Sequence, residues 1–142
     1  MDFDSFSCRI CGGRLVPKLN ELVCSNCRFI QHPVQDTNIR ISCESLKKKL
    51  DNKEDVLLLD VREKWEFDTV HMKNAKLVPM RALKDSIKEL DKTKPIVTVC
   101  HYGERSSYAA RYLIQNGFAN VKTLEGGLDA WAAKIDQSLR RY

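Results

Sequence analysis

From residue 39 onward, apolar runs alternate with helical spacings. Ile39-Arg-Ile41 predicts a short strand, and Ser42 can cap a helix that runs through Leu46 and Leu50. Val56-Leu57-Leu58-Leu59 is continuously apolar, the pattern of a strand buried on both faces. A short helix is expected near 64–68, and a third strand over Lys76-Leu77-Val78, stopped by Pro79. Leu83, Ile87 and Leu90 keep helical spacing within 81–91. Pro95-Ile96-Val97-Thr98-Val99 predicts a further buried strand, followed by a helix over 106–116 that Gly117 terminates. Val121-Lys-Thr123 is a fifth strand and 128–135 a last helix. This alternation predicts an α/β fold, a parallel sheet with helices on both faces.

Residues 1–38 follow a different pattern. Periodic apolar positions are few, and the chemistry lies in Cys8-Arg-Ile-Cys11 and Cys24-Ser-Asn-Cys27, twelve residues apart. Each Cys-x-x-Cys can form a tight turn that aims two thiolates at one ion, and Gly12-Gly13 permit the positive φ such turns need. Two such pairs predict a small zinc ribbon with short strands around each pair, holding one structural zinc per chain through Cys8, Cys11, Cys24 and Cys27. A redox dithiol or two disulfides would need an oxidising compartment. So short a segment cannot bury enough surface to fold unaided, so the metal would supply the folding energy. The polar stretch 31–38, with Pro33, reads as a linker, and His32 as a bystander to a ligand shell already complete. The expected division is therefore 1–38 and 39–142, with the second part large enough to fold alone.

Composition narrows the class. With 142 residues, 43% hydrophobic and 30% charged, the chain is globular rather than collagen-like or disordered. No apolar run is long enough to span a membrane, and the acidic start, Met1-Asp2-Phe3-Asp4, lacks the pattern of a secretory leader. A soluble cytoplasmic protein is expected. The net charge of +5 lies in 39–142, because residues 1–38 balance four basic against four acidic side chains. Residues 71–94 alone carry seven basic and three acidic residues, either a solvated face or an approach path for an anion or acidic partner.

Ligands of open parallel α/β sheets bind beyond the carboxyl ends of the strands. Two polar clusters fall there: Asp60-Val-Arg62, and Cys100-His101-Tyr102-Gly103-Glu104-Arg105-Ser106, which ends a strand and opens a helix. A thiol at that position meets backbone N–H groups and the positive end of a helix dipole, and Arg105 adds a charge; all favour the thiolate. Gly103 lets the loop curl so that its amides point inward. Cys100 is thus a candidate nucleophile in an anion cradle, against the alternative of a buried structural cysteine.

Residues 39–142 resemble a single rhodanese domain, the sulfurtransferase family. Asp60-Val61-Arg62-Glu63 with Trp65-Glu66-Phe67 is similar to the family's first motif, and His71-Met72-Lys73-Asn74-Ala75 with Val78-Pro79 to its second. Cys100 to Ser106 is similar to the active-site loop, and Leu124-Glu125-Gly126-Gly127-Leu128-Asp129-Ala130-Trp131 to the closing motif. Lys73-Asn74 stands where the family usually has Pro-Gly, a change the left-handed tolerance of Asn can absorb. The resemblance implies that Cys100 takes sulfur from a small anionic donor such as thiosulfate, becomes a persulfide, and yields that sulfur to a thiophilic acceptor. It implies substrate binding by the loop residues His101, Tyr102, Gly103, Glu104, Arg105 and Ser106, with Arg105 on the anionic donor and His101 and Tyr102 shaping the mouth. Asp60 and Arg62 would brace the loop or form a strand-end ion pair.

A related phosphatase or arsenate reductase would need five residues between the Cys and the Arg; four are present, and Glu104 opposes a phosphate dianion. The alternative class is a persulfide carrier or a non-enzymatic binding module in a sulfur relay, with the ribbon docking a carrier protein or a tRNA-linked acceptor. The neutral ribbon has no interleaved aromatic and basic residues, which argues against direct nucleic-acid binding through it.

Overall fold

A computed structural model describes residues 7–18, 21–31 and 39–141. Of the expected linker, Gln31 is described and residues 32–38, with His32, lie outside the described residues. The N-terminal part forms a three-stranded antiparallel sheet in the order β1-β2-β3: β1 (Leu15–Lys18), β2 (Glu21–Cys24) and β3 (Ile30–Gln31).

The second sheet holds β4 (Arg40–Ile41), β5 (Leu57–Asp60), β6 (Lys76–Leu77), β7 (Ile96–Val99) and β8 (Val121–Leu124), in the order β4-β8-β7-β5-β6. Every pairing is parallel. The most apolar runs, β5 and β7, lie side by side within the sheet, because covered strands gain most from residues that bury both faces.

Among the described residues four α-helices lie between strands of this sheet, α1 (Cys43–Asp51), α2 (Lys64–Thr69), α3 (Leu83–Ser86) and α4 (Glu104–Gln115), and α5 (Gly127–Lys134) follows β8. Ser42 caps α1 as expected, its Oγ accepting from Ser45 N at 3.1 Å. Leu46 of α1 and Leu128 and Trp131 of α5 cover one face with Leu58, Val97 and Val99. Leu83 of α3 and Ala109, Ala110 and Leu113 of α4 cover the other with Leu59 and Ile96.

Three departures from the expected elements have physical causes. The helix expected over 81–91 is broken into 3-10 turns at Met80–Ala82 and Ile87–Glu89 around α3. Neither end has a side-chain cap, and the terminal amides find i→i+3 carbonyls instead. Helix α4 starts two residues early, at Glu104, because Gly103 takes φ +100° and turns the chain straight from the loop into the helix.

The third departure concerns the ribbon, which is not a free appendage. Its Phe29 is fully buried against α4, edge-on to Tyr108 and Tyr112 with ring centroids 6.4 and 5.9 Å apart. Gln115, at the end of α4, accepts from Ile30 N at 2.7 Å and donates to Arg28 O at 2.6 Å. Cys8, Ile10, Leu15 and Phe29 join the core on the α4 face. Among the described residues no helix is long and apolar enough to cross a membrane.

Candidate active site and four-cysteine cluster

Cys100 follows β7 directly, and its buried Sγ sits where the loop enters α4. It accepts hydrogen bonds from Gly103 N at 3.1 Å and Ser106 N at 3.3 Å, and donates to Ser106 Oγ at 3.4 Å. The loop can aim amides inward because its carbonyls are satisfied on the other side. Leu128 N donates to Cys100 O at 2.8 Å and Asp129 N to His101 O at 3.0 Å. These belong to the first turn of α5, whose amides have no partner within the helix. Contact this close demands glycine: a Cβ on Gly127, whose φ is +65°, would stand 2.5 Å from Cys100 O.

Two threonines that the sequence does not single out hold the first turn of α4 to the sheet. Thr123 Oγ1 donates to Ser106 Oγ at 2.7 Å, and Thr98 Oγ1 to Ser106 O at 2.8 Å. All three residues are buried, so each polar group needs the others. A Thr within the buried run of β7 was the available signal.

Arg105 has a partner that the sequence does not single out: its Nη1 and Nη2 pair with Oε1 and Oε2 of Glu66 at 2.7 and 2.9 Å, a bidentate ion pair. Glu66 is buried on α2 and also accepts from Glu63 N at 3.2 Å; without a cation its burial would be costly. The pair ties α4 to α2.

Asp60 and Arg62 form a fully buried ion pair, Nε to Oδ1 at 2.9 Å and Nη2 to Oδ2 at 2.8 Å. Arg62 also donates to Val70 O at 2.7 Å and Glu66 O at 3.4 Å. These bonds fix α2, which carries Glu66, the partner of Arg105. His101 is enclosed beside Leu128, Asp129 and Ala132, whereas Tyr102, edge-on to it at 3.9 Å, is 67% exposed. Glu104 stands exposed at the start of α4. Cys43 is buried at the start of α1, its Sγ 3.8 Å from Glu125 O, and burial pushes its thiol pKa up.

The rhodanese-like domain family matches residues 42–134. The chain belongs to the rhodanese-like family. It is 38% identical over 92 residues to a protein of Allochromatium vinosum named sulfurtransferase, covering 65% of this chain and 86% of that one. It is 32% identical over 131 residues to the maize (Zea mays) adenylyltransferase and sulfurtransferase MOCS3-2, covering 80% of this chain but 27% of that protein. Among solved structures it is similar to a rhodanese-like domain protein from Staphylococcus aureus, with a TM-score of 0.63 and 33% identity over 72% of this chain and 97% of that one. Where Lys73-Asn74 departs from the usual rhodanese turn, Asn74 takes φ +67°, so the left-handed position is kept without glycine.

Outside the rhodanese-like match, the four ribbon cysteines converge. Their Sγ atoms lie within 4.8 Å of one another, with Cys8 to Cys27 at 3.6 Å and Cys11 to Cys24 at 3.4 Å. Backbone amides already point at three of the sulfurs: Ile10 N to Cys8, Gly13 N to Cys11, and Asn26 N and Cys27 N to Cys24. The hydrogen bond shared by Cys8 and Cys27 holds the Cys8 pKa down at about 5 and, with burial, pushes that of Cys27 up. Four sulfurs at these separations, with amides stabilising negative charge, fit a tetrahedral thiophilic metal ion.

Proposed function

We propose that this chain is a sulfurtransferase working through a Cys100 persulfide. The supporting observation is the cradle: a buried sulfur accepting two backbone N–H groups at the mouth of a parallel sheet. The Cys100 thiolate attacks the outer sulfur of a donor such as thiosulfate. A new S–S bond forms, the donor's S–S bond breaks, and sulfite leaves with the electron pair. The persulfide's terminal sulfur carries the charge, held by inward-facing loop amides and the Ser106 hydroxyl, which can turn its proton toward sulfur. An acceptor nucleophile then attacks that terminal sulfur, the persulfide bond breaks, and the Cys100 thiolate is restored. With cyanide the product is thiocyanate; with a thiolate it is a new persulfide.

Tyr102 stands at the rim of this site, and Glu66, Arg105, Asp60 and Arg62 position its walls. Zinc is the ion proposed for the four-cysteine cluster. With four sulfur ligands it has no open position, so its contribution is to fold the ribbon. The likeness to a Bacillus subtilis protein named putative sulfur carrier protein YrkF supports a second reading, in which the persulfide is handed on in a relay. The test is mass spectrometry of the reduced protein after thiosulfate. A gain of one sulfur on the peptide bearing Cys100, lost again on adding cyanide, is expected; an unmodified Cys100 overturns the proposal.

A further inference from the structure

The rhodanese-like match ends at residue 134, and the chain beyond it returns to the Cys100 loop. After α5 the backbone turns on Asp136. Its N–H donates to Trp131 O at 3.0 Å, its carboxylate accepts from Ser138 N at 3.1 Å, and its carbonyl accepts from Leu139 N at 3.2 Å. Leu139 packs on the core cluster that holds Leu128 and Trp131. This anchor carries the next two residues back to the first turn of α5, where Arg141 Nε and Nη2 donate to the Asp129 carboxylate at 2.9 and 3.0 Å. Arg140 and Arg141 line a crevice there with His101, Leu128, Asp129 and Ala132.

Named contacts join this crevice to Cys100. Leu128 N holds Cys100 O at 2.8 Å, and Asp129 N holds His101 O at 3.0 Å. Asp129 therefore grips the loop with its backbone and the segment with its side chain. Arg141 is also within electrostatic reach of Tyr102, the exposed residue at the rim.

The charge at this end of the sheet needs a balancing partner. The first turns of α4 and α5, which bracket the loop, carry Glu104, Arg105 and Asp129. Arg105 is matched by Glu66, so the Glu104 and Asp129 carboxylates remain beside a site whose proposed donor is an anion. Arg141 matches Asp129 and holds its carboxyl below the usual range. Arg140 is exposed and has no hydrogen-bond or ion-pair partner among the described residues. An exposed ion pair adds little stability, so the consequence of the Arg141–Asp129 pair is where it puts the two guanidinium groups.

We propose that segment 136–141 is a charged wall of the Cys100 site, with Arg140 as the residue that favours anionic substrates and Arg141 as the residue that positions it. This rests on the proposed sulfur transfer and deepens it by naming the charge that selects its substrates. The wall raises the local electrostatic potential, so it acts on the approach and binding of an anion and weakens with salt.

Iodoacetate and iodoacetamide report that potential without sulfur transfer. Each alkylates the Cys100 thiolate: the S–C bond forms as the C–I bond breaks and iodide leaves. The first reagent is an anion and the second is neutral. Metal-loaded full-length protein is treated with each, and mass spectrometry follows the peptide bearing Cys100. Arg140→Gln should lower the iodoacetate-to-iodoacetamide rate ratio about threefold, as expected for one unit charge within about a Debye length in solvated surroundings, and the loss should shrink at high salt. Arg140→Lys keeps the charge and should keep the ratio. Arg141→Gln should lower it at least as far as Arg140→Gln, because Asp129 is then unmatched and Arg140 loses its anchor. Lys92→Gln removes the same charge near Gly117, at the far end of α4 and about 18 Å from its first turn, and should leave the ratio unchanged. In steady state, Arg140→Gln should raise the KM for thiosulfate with kcat nearly unchanged. A ratio unmoved by Arg140→Gln and Arg141→Gln overturns the inference, as does an equal loss in Arg140→Lys or Lys92→Gln. If Cys100 takes up no sulfur while the ratio follows the arginines, sulfur transfer fails and the charged wall stands. If Cys100 loads normally and the ratio ignores the arginines, the wall fails and sulfur transfer stands.

Discussion

Cys100, Ser106 and Thr123 form a buried chain of polar groups, and each substitution along it has a distinct expected effect. Cys100→Ser should abolish thiosulfate-to-cyanide transfer, whereas Cys43→Ser, at a buried thiol on α1, should leave turnover nearly unchanged; steady-state thiocyanate formation measures both. Thr123→Val keeps the volume and removes the donor to Ser106. The Ser106 oxygen then keeps only Cys100 of its two buried side-chain partners, at a cost of about 1–3 kcal/mol in urea denaturation, with a smaller loss of rate. At Asp60, replacement by Ala strands the Arg62 guanidinium in the core and should cost about 3–5 kcal/mol. Cys100 and Asp60 could be picked out in sequence because each ends an apolar run. Glu66 and Thr123 could not, because a single polar residue has no periodicity, and their partners lie 39 and 17 positions away.

At the scale of elements, the loop after β7 depends on α5 as much as on α4. The amides of Leu128 and Asp129 hold two loop carbonyls, and Gly127 leaves room for that approach. Gly127→Ala places a methyl group against Cys100 O at a left-handed φ, so roughly 2–4 kcal/mol of stability should be lost. Turnover should fall more than in Gly117→Ala, where φ is also positive but the nearest atoms belong to the flexible end of Lys92. Parallel thermal melts and thiocyanate assays separate the two effects. The order and type of the elements were legible from alternation and caps: Ser42 begins a helix and Gly117 follows one. The broken segment 80–89 was not, because the spacing of Leu83, Ile87 and Leu90 suits either a continuous helix or short turns.

For the whole molecule, the ribbon's seat on α4 changes the expected outcome of removing it. A fragment beginning near Asp36 keeps the five-stranded sheet but exposes Tyr108, Tyr112 and the surface that Phe29 covers. It should remain folded with a lower melting temperature. Phe29→Ala in the full chain should cost about 3–5 kcal/mol, the usual range for a buried phenylalanine. Purified protein should contain one zinc per chain, and a strong chelator should destabilise α4 as well as the ribbon. Hydrogen exchange checks this: faster exchange at Tyr108–Gln115 on chelation is expected, and exchange confined to the ribbon would show two independent parts.

The sequence by itself determined the α/β class, the four-cysteine pattern and the place of Cys100 at the end of a buried strand. These rest on local periodicity and on spacings of a few residues, which the chain carries wherever it folds. Only the tertiary structure decided that Arg105 faces Glu66, that His101 is enclosed, and that the ribbon packs on α4. Each depends on which distant groups share one buried space: a carboxylate that must be neutralised, a ring that must be covered, an amide that must find a carbonyl. Those demands are met between elements far apart along the chain, and no local pattern records which element will meet them.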